Sequence, residues 1–507
     1  MSDAVSMQGI VKKFPGGVIA NNYINFEVKS CEIHGLLGEN GAGKTTLMNI
    51  LYGLYERDEG TIKIKGKEVN FNSPNEAVKA GIGMVHQHFM LIPTLTAAEN
   101  IVLGAEPGKL GTLDYNSVVI KAKNLSERFG LKINPSLQVS ELPVGIKQRI
   151  EILKALYRES NIIILDEPTA VLTPQEAEEL LEILGSLKDN GFTIIFITHK
   201  LEEAKRFCDR ITVIRDGENV DCVKAEETTK EELANKMVGR NINLRVEKGF
   251  AKKGEKILEV KNLCYKQEND QQNLSNINLS IKKGEILGVA GVDGNGQSEL
   301  VKNIAGLAQP DSGEIFFKEQ DISIGTPTDL YHAGISHIPE DRLKFGLIED
   351  FSLTENLLLN YIDNNSYKIN RIFVDYKKAK NKAEQLIKEY SIKANNPEEL
   401  AGNLSGGNQQ KLIIARELER DPELLIAAQP TRGLDVGAIE FVHNKLLEAR
   451  ENGKAILLIS MDLDEIMQLS DRIKVMYEGQ FIGEYLSSEA TKEKIGLLMG
   501  GYCNNGQ

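Results

Sequence analysis

Cysteine is scarce in this chain of 507 residues: Cys31, Cys208, Cys222, Cys264 and Cys503 are scattered, odd in number and never spaced as CxxC. That pattern excludes a disulfide framework and a cysteine-held zinc, and it fits a reducing compartment. Long hydrophobic runs are lacking too. No stretch approaches about 18 uninterrupted apolar residues, the minimum for a membrane-spanning helix, so a role at a membrane would need another chain to cross it. No Pro-rich, Gly/Ser-rich or single-charge tract is long enough to suggest disorder. The opening residues show no charged, apolar and small-residue pattern of the kind that marks a secretory signal. Positive charge is in deficit, with 60 Lys and Arg against 73 Asp and Glu and a net charge of -13. That balance argues against a protein that grips nucleic acid by neutralising its phosphates.

What is present is an ordinary folded composition, 41% hydrophobic and 26% charged. The length suits two domains of roughly 150 to 250 residues better than one core. An internal repeat bears this out within the sequence itself. The segment from Gly38 to Lys44 overlays that from Gly291 to Gln297, and Gly81-Ile82 overlays Gly334-Ile335 at the same spacing of 253. The spacing widens to 256 at Glu99-Asn100 and Glu355-Asn356, then holds at 262 from Leu142 and Leu404 onward. About nine extra residues therefore sit in the middle of the second copy. The charged, aperiodic stretch around residues 243–256 reads as a linker between domains at 1–242 and 257–507. Runs such as Ile162 to Leu165 and Thr193 to Thr198 alternate with helix-like stretches, as buried parallel strands of an α/β sheet do. A helical insertion is expected between each glycine loop and Leu142 or Leu404.

Gly38-Glu39-Asn40-Gly41-Ala42-Gly43-Lys44-Thr45 matches GxxxxGK[ST], with an apolar strand before it and a helix-like run from Thr46 after it. Glycines let backbone N–H groups approach phosphates, Lys44 supplies a cation, and the Thr45 hydroxyl can ligate Mg²⁺. Downstream, the apolar run at Ile162 ends in Asp166-Glu167, two carboxylates at the C-terminal end of a strand, where open α/β sheets bind ligands. Asp166 suits Mg²⁺ held through water, and Glu167 suits a general base for the attacking water. After the next strand comes His199, placed to hydrogen-bond a γ-phosphate. The bland readings are a solvated acid pair and a structural histidine, and the order of the parts favours catalysis over both.

With Gln87 and Leu404-Ser405-Gly406-Gly407-Asn408-Gln409 added, these motifs resemble the ABC ATPase superfamily over nearly the whole chain. The resemblance implies an α/β fold of two tandem P-loop ABC ATPase domains. Each would have a RecA-like α/β core, an antiparallel β subdomain and a helical subdomain. It implies that Gln87 touches Mg²⁺ or water and relays the nucleotide state, that Gly38 to Thr46 cradle ATP, and that Phe14 stacks on adenine. Simple strand packing is the other reading of Phe14.

The second copy is degraded at its nucleotide site. Gln297 replaces the lysine, Ala428-Gln429 replace the two carboxylates, Met461 replaces the histidine, and Glu340 stands where the first copy has Gln87. Losing the cation, both acids and the imidazole leaves no evident route to hydrolysis. ABC domains pair head to tail, so the resemblance implies that ATP lies between the glycine loop of one copy and the signature segment of the other. The second copy keeps Ser405, Gly406 and Gly407, whereas Pro143 in the first removes a hydroxyl and an N–H. The intact parts thus belong to one expected site. Fused domains with one degraded site resemble the ATPase subunits of bacterial carbohydrate and nucleoside importers. Segments such as Leu47 to Tyr55 and Val85 to Ile92 look more like the nucleoside branch, with monosaccharide importers as the alternative. The partners implied are two membrane permease subunits and an extracellular solute-binding protein, with no nucleic acid. The location implied is peripheral, at the cytoplasmic face of the cell membrane. Soluble tandem-ABC translation factors are a remote alternative, set aside because of Gln429 and the short linker.

Overall fold

The buried strands expected in both copies are present in the computed structural model, which describes residues 3–86, 89–107, 114–169, 172, 174–241, 248–266, 273–359, 367–369 and 373–501. The chain divides into two units, residues 1–242 and 243–507.

In the first unit, β1 (Ile33–Leu37), β2 (Ile82–Val85), β3 (Ile162–Asp166), β4 (Thr193–Thr198), β5 (Arg210–Arg215) and β6 (Glu218–Lys224) form one sheet in the order β6-β5-β1-β4-β3-β2. All neighbours are parallel except the β5–β6 pair. Every residue of β1, β2, β3 and β4 is buried, which is why these strands read as largely apolar runs rather than alternating ones, with His34, Asp166, Thr193 and Thr198 as their buried polar members. A separate antiparallel sheet joins Val18–Lys29, Asp3–Phe14, Glu59–Ile64 and Lys67–Val69. Its apolar face and the central sheet share a core that includes Val5, Met7, Phe26, Leu36 and Ile164.

Helices α1 (Lys44–Leu51), α2 (Ala97–Val102), α3 (Tyr115–Phe129), α4 (Val144–Tyr157) and α5 (Leu201–Phe207) complete the parts used below. Those at α2 and α3 fall between the glycine loop and Leu142, where the helical insertion is expected, and α4 follows Leu142. The entry to the insertion is set by a capping box at α2, in which the Thr96 hydroxyl accepts from the Glu99 N–H and Glu99 reaches back to the Thr96 N–H. Beside it the buried amide of Asn100 bonds both the N–H and the carbonyl of Ile92.

The second unit repeats this plan. Strands β7 (Ile286–Ala290), β8 (Ile335–Ile338), β9 (Leu424–Ala428), β10 (Ala455–Ser460), β11 (Arg472–Tyr477) and β12 (Gln480–Leu486) run in the order β8-β9-β10-β7-β11-β12, the same topology. Its helices include α6 (Gln297–Ile304), α7 (Leu353–Leu358), α8 (Tyr376–Glu389), α9 (Gly406–Leu418), α10 (Val436–Glu451) and α11 (Leu463–Leu469). Ser352, Glu355 and Asn356 rebuild the capping box and the loop clamp on Ile348, which explains why Glu-Asn recurs in both copies. The added residues fall in two places. A π-turn occupies Arg342–Gly346, and Lys368–Ile369 pairs antiparallel with Phe373–Val374. Among the described residues no helix is long and apolar enough to cross a membrane.

Candidate functional site

The glycine loop of the first unit joins β1 to α1, and its shape is dictated by close packing. Gly43 has φ +95°, and a Cβ there would lie 2.2 Å from the Ala20 carbonyl oxygen and 2.7 Å from Asn21 Nδ2. At Gly38 a Cβ would stand 2.3 Å from the Ile214 carbonyl oxygen. Only glycine fits either position. Asn21, fully buried, donates from Nδ2 to the Gly43 carbonyl at 3.1 Å and so fastens the loop to the antiparallel sheet. Lys44 is 6% exposed and folds back over the loop, donating from Nζ to the carbonyl oxygens of Gly38 and Glu39 at 2.8 Å each. A buried ammonium held by two backbone carbonyls is poised to exchange them for the oxygens of a phosphate. Ala42 is buried beneath the loop, whereas Asn40, Gly41 and Thr45 are exposed on it and Thr46 is half-buried.

At the ends of the neighbouring strands the two carboxylates part in character. Asp166 closes β3 and is pushed up to about 6, by burial and then by the Glu167 charge, against a hydrogen bond from Thr45 and the Lys44 charge. Glu167 follows in a left-handed conformation, φ +47°, its N–H donating to the Ile197 carbonyl at 3.0 Å. Burial pushes its carboxyl up as well. The hydrogen bond with His199 and the charges of His199, Lys44 and Lys200 outweigh that and hold it below its ordinary value. His199 Nδ1 and Glu167 Oε1 are 2.9 Å apart, with both side chains largely buried. Adjacent acids whose proton affinities are driven apart are the mark of assigned roles. The Asp166 carboxylate with the Thr45 hydroxyl beside it offers spare negative charge and hard oxygen donors, and Mg²⁺ fits that set.

Phe14 ends its strand half-buried, and its ring meets Tyr55 edge-on at 5.6 Å between centroids, with Lys12 Nζ 5.7 Å from the ring centre. Asn21 belongs to no contiguous motif, and Tyr55 stands in the sequence only as the end of the segment from Leu47, with nothing there to pair it with Phe14. Gln87 lies outside the described residues.

In the second unit the corresponding groups are satisfied among themselves. Gln297 Nε2 donates to the Val292 carbonyl at 3.1 Å, and the Ser298 hydroxyl donates to Glu340 Oε2 at 2.9 Å. Gln429 keeps the left-handed bend at φ +49°, and its Oε1 accepts from the Met461 N–H at 3.3 Å. Ser405, Gly406 and Gly407 form the start of α9, with Ser405 exposed at its N-cap and its hydroxyl accepting from Asn408 Nδ2 at 2.9 Å. In the first unit the equivalent cap of α4 is Pro143.

A glycine loop entering a helix, a buried lysine folded over it and a strand-end Asp-Glu pair define a P-loop nucleotide-binding domain, built twice and kept chemically complete once. The pattern that defines the ABC transporter family matches residues 21–170 and again 274–432, and the chain belongs to that family. It is 49% identical to the guanosine import ATP-binding protein of Bacillus subtilis strain 168 over 501 residues, covering 99% of this chain and 98% of that one. It is 47% identical over 502 residues to the nucleoside import ATP-binding protein of Lactococcus lactis subsp. cremoris, covering 99% of each. Among solved structures, the archaeal ribosome recycling factor aABCE1 matches with a TM-score of 0.64 at 20% identity, covering 97% of this chain and 92% of that one. At that identity the likeness concerns the fold alone.

Proposed function

We propose that this chain is the ATP-hydrolysing subunit of an importer for nucleosides, and that the first unit performs the hydrolysis. The observation that carries the reading is the Glu167–His199 hydrogen bond of 2.9 Å at the strand ends beside the Lys44 loop. Lys44 and the loop N–H groups bind the β- and γ-phosphates, and Phe14 packs on the adenine. Asp166 and Thr45, with Gln87, hold Mg²⁺, which when bound neutralises the phosphate charge. Glu167 stays ionised near neutral pH and takes the proton of the attacking water, while His199 orients that carboxylate and reaches toward the γ-phosphate. Ser405, Gly406 and Gly407, at the start of α9, offer a hydroxyl and backbone donors suited to a phosphate. The energy drives two membrane permease subunits fed by an extracellular solute-binding protein, with this chain peripheral at the cytoplasmic face of the membrane. The nucleoside assignment is supported by the names of the two bacterial relatives.

Glu167→Gln is expected to lower ATP turnover by about 10²-fold or more, the scale of losing a general base, while ATP still binds. Near-normal turnover would remove the ATPase assignment. Deleting the chain from its host is expected to abolish uptake of radiolabelled guanosine and leave ribose uptake intact. The reverse pattern would make it a sugar importer subunit.

A further inference from the structure

Around the Glu167–His199 pair lies a second polar network that the reading above leaves unused. Thr169, two residues past Glu167 and 2% exposed, donates its hydroxyl proton to the Glu203 carboxylate, whose oxygens lie 2.8 and 2.7 Å away. Thr198, just before His199, donates from Oγ1 to Glu203 Oε2 at 3.3 Å and accepts from the Lys200 N–H at 3.0 Å. Lys200, just after His199, sets Nζ 3.1 Å from Glu203 Oε1 and 3.1 Å from the Thr169 carbonyl oxygen. One carboxylate on the first turn of α5 therefore ties the segment leaving β3 to both chain neighbours of His199.

The second unit tests what this network is for. Gln429, Met461 and Glu465 stand there in place of Glu167, His199 and Glu203. The backbone bend survives, with φ +49° and the Gln429 N–H donating to the Ile459 carbonyl at 2.7 Å. The Ser460 hydroxyl, in the place of Thr198, still accepts from the next-but-one N–H at 3.0 Å. The carboxylate has been rewired. Glu465 Oε1 pairs with His443 of α10 at 3.1 Å, its Oε2 is buried with no partner, and the place of Lys200 is taken by an acid, Asp462. Since the bend stands without the network, folding this stretch of backbone does not require it. It is kept in the unit that carries the carboxylate–imidazole pair.

We propose that Glu203 is a positioning residue for ATP hydrolysis, which through Thr169, Thr198 and Lys200 holds Glu167 and His199 in register for the attacking water. This rests on the ATPase reading of the first unit. In the full chain, Glu203→Ala is expected to lower turnover at saturating ATP by about 10- to 100-fold, the cost of an ångström-scale misplacement, with KM for ATP changed less than about 2-fold. In a Glu167→Gln background the same change is expected to lower the residual turnover no further, because its effect passes through that carboxylate. Thr169→Val, which keeps the volume and removes the hydroxyl, carries the same two predictions and replaces Glu203→Ala should the latter fail to fold. Unchanged turnover in these variants, or an equal further drop in the Glu167→Gln background, overturns the proposal. Undiminished turnover in Glu167→Gln alone instead removes the ATPase reading, and the proposal falls with it.

Discussion

At the scale of single residues, Asp166 and Glu167 show how two neighbouring acids acquire different chemistry from their surroundings. Glu167 has an imidazole to bond, and Asp166 has one hydroxyl and a neighbour of like charge. The folded protein therefore holds a proton on Asp166 more tightly than the unfolded chain does, with its carboxyl raised from 3.8 to about 6. A raised value means that stability is fully present below about pH 4 and is lost as the pH climbs through about 6, by on the order of 3 kcal/mol at most. Asp166→Asn removes that titration. The nucleotide-free variant is expected to melt several degrees higher than the parent at pH 8, at about 2–4 °C per kcal/mol for domains of this size, with the advantage gone near pH 4. The same variant is expected to lose the extra stabilisation that Mg²⁺ adds to ATP binding. Thermal melts at the two pH values, with and without Mg²⁺ and ATP, read both effects, and an equal or lower melting temperature at pH 8 refutes the charge argument.

At the scale of elements, the glycine loop is specified by what packs against it. Gly41 and Gly43 both have positive φ, +84° and +95°, yet a Cβ at Gly41 meets nothing within 4 Å whereas one at Gly43 overlaps the Ala20 carbonyl. Gly41→Ala is expected to cost the nucleotide-free protein about 1–2 kcal/mol, the penalty of a left-handed residue. Gly43→Ala is expected to cost clearly more, since the strand from Val18 must move away as well. Equal melting temperatures for the two variants would contradict this. The same contrast explains what was legible in the sequence. Lys44, Thr45, Asp166 and Glu167 lie in short contiguous motifs at strand ends, and the largely apolar strands around them announce a parallel sheet by composition. Asn21, Tyr55 and Glu203 belong to no such motif. Each acts on a residue 22, 41 or 34 positions away, Gly43, Phe14 or Thr169, and their side-chain types are those of any solvated surface. The added length is legible as a shift in spacing, but the π-turn at Arg342–Gly346 and the antiparallel pairing of Lys368–Ile369 with Phe373–Val374 depend on backbone hydrogen bonding that spacing does not encode.

At the scale of the whole molecule, two copies of one sheet topology carry different side chains at the ends of the corresponding strands. The central sheets share their strand order, and the left-handed residue after the third strand is kept at both Glu167 and Gln429. What differs is the inventory around that shared backbone. Gln297 is neutral and bonded to the Val292 carbonyl, Ser298 is occupied by Glu340, and Ala428, Gln429 and Met461 offer neither a carboxylate nor an imidazole. Restoring one charge therefore leaves four chemical deficits in place. Gln297→Lys supplies a cation for phosphate, so it can strengthen nucleotide binding to the second unit, but it supplies no base for water and no carboxylate for a metal. The decisive arrangement places Gln297→Lys in a chain already carrying Glu167→Gln, where any hydrolysis at the second unit would stand out against a low background. Phosphate release from that double variant is expected to remain within about 2-fold of Glu167→Gln alone, because general acid–base catalysis by a positioned group contributes about 10²- to 10⁴-fold and none has been added. Recovery of even a tenth of the parental rate would mean that the second unit holds a base not found among Ala428, Gln429 and Met461, and that the division of labour between the copies is drawn in the wrong place.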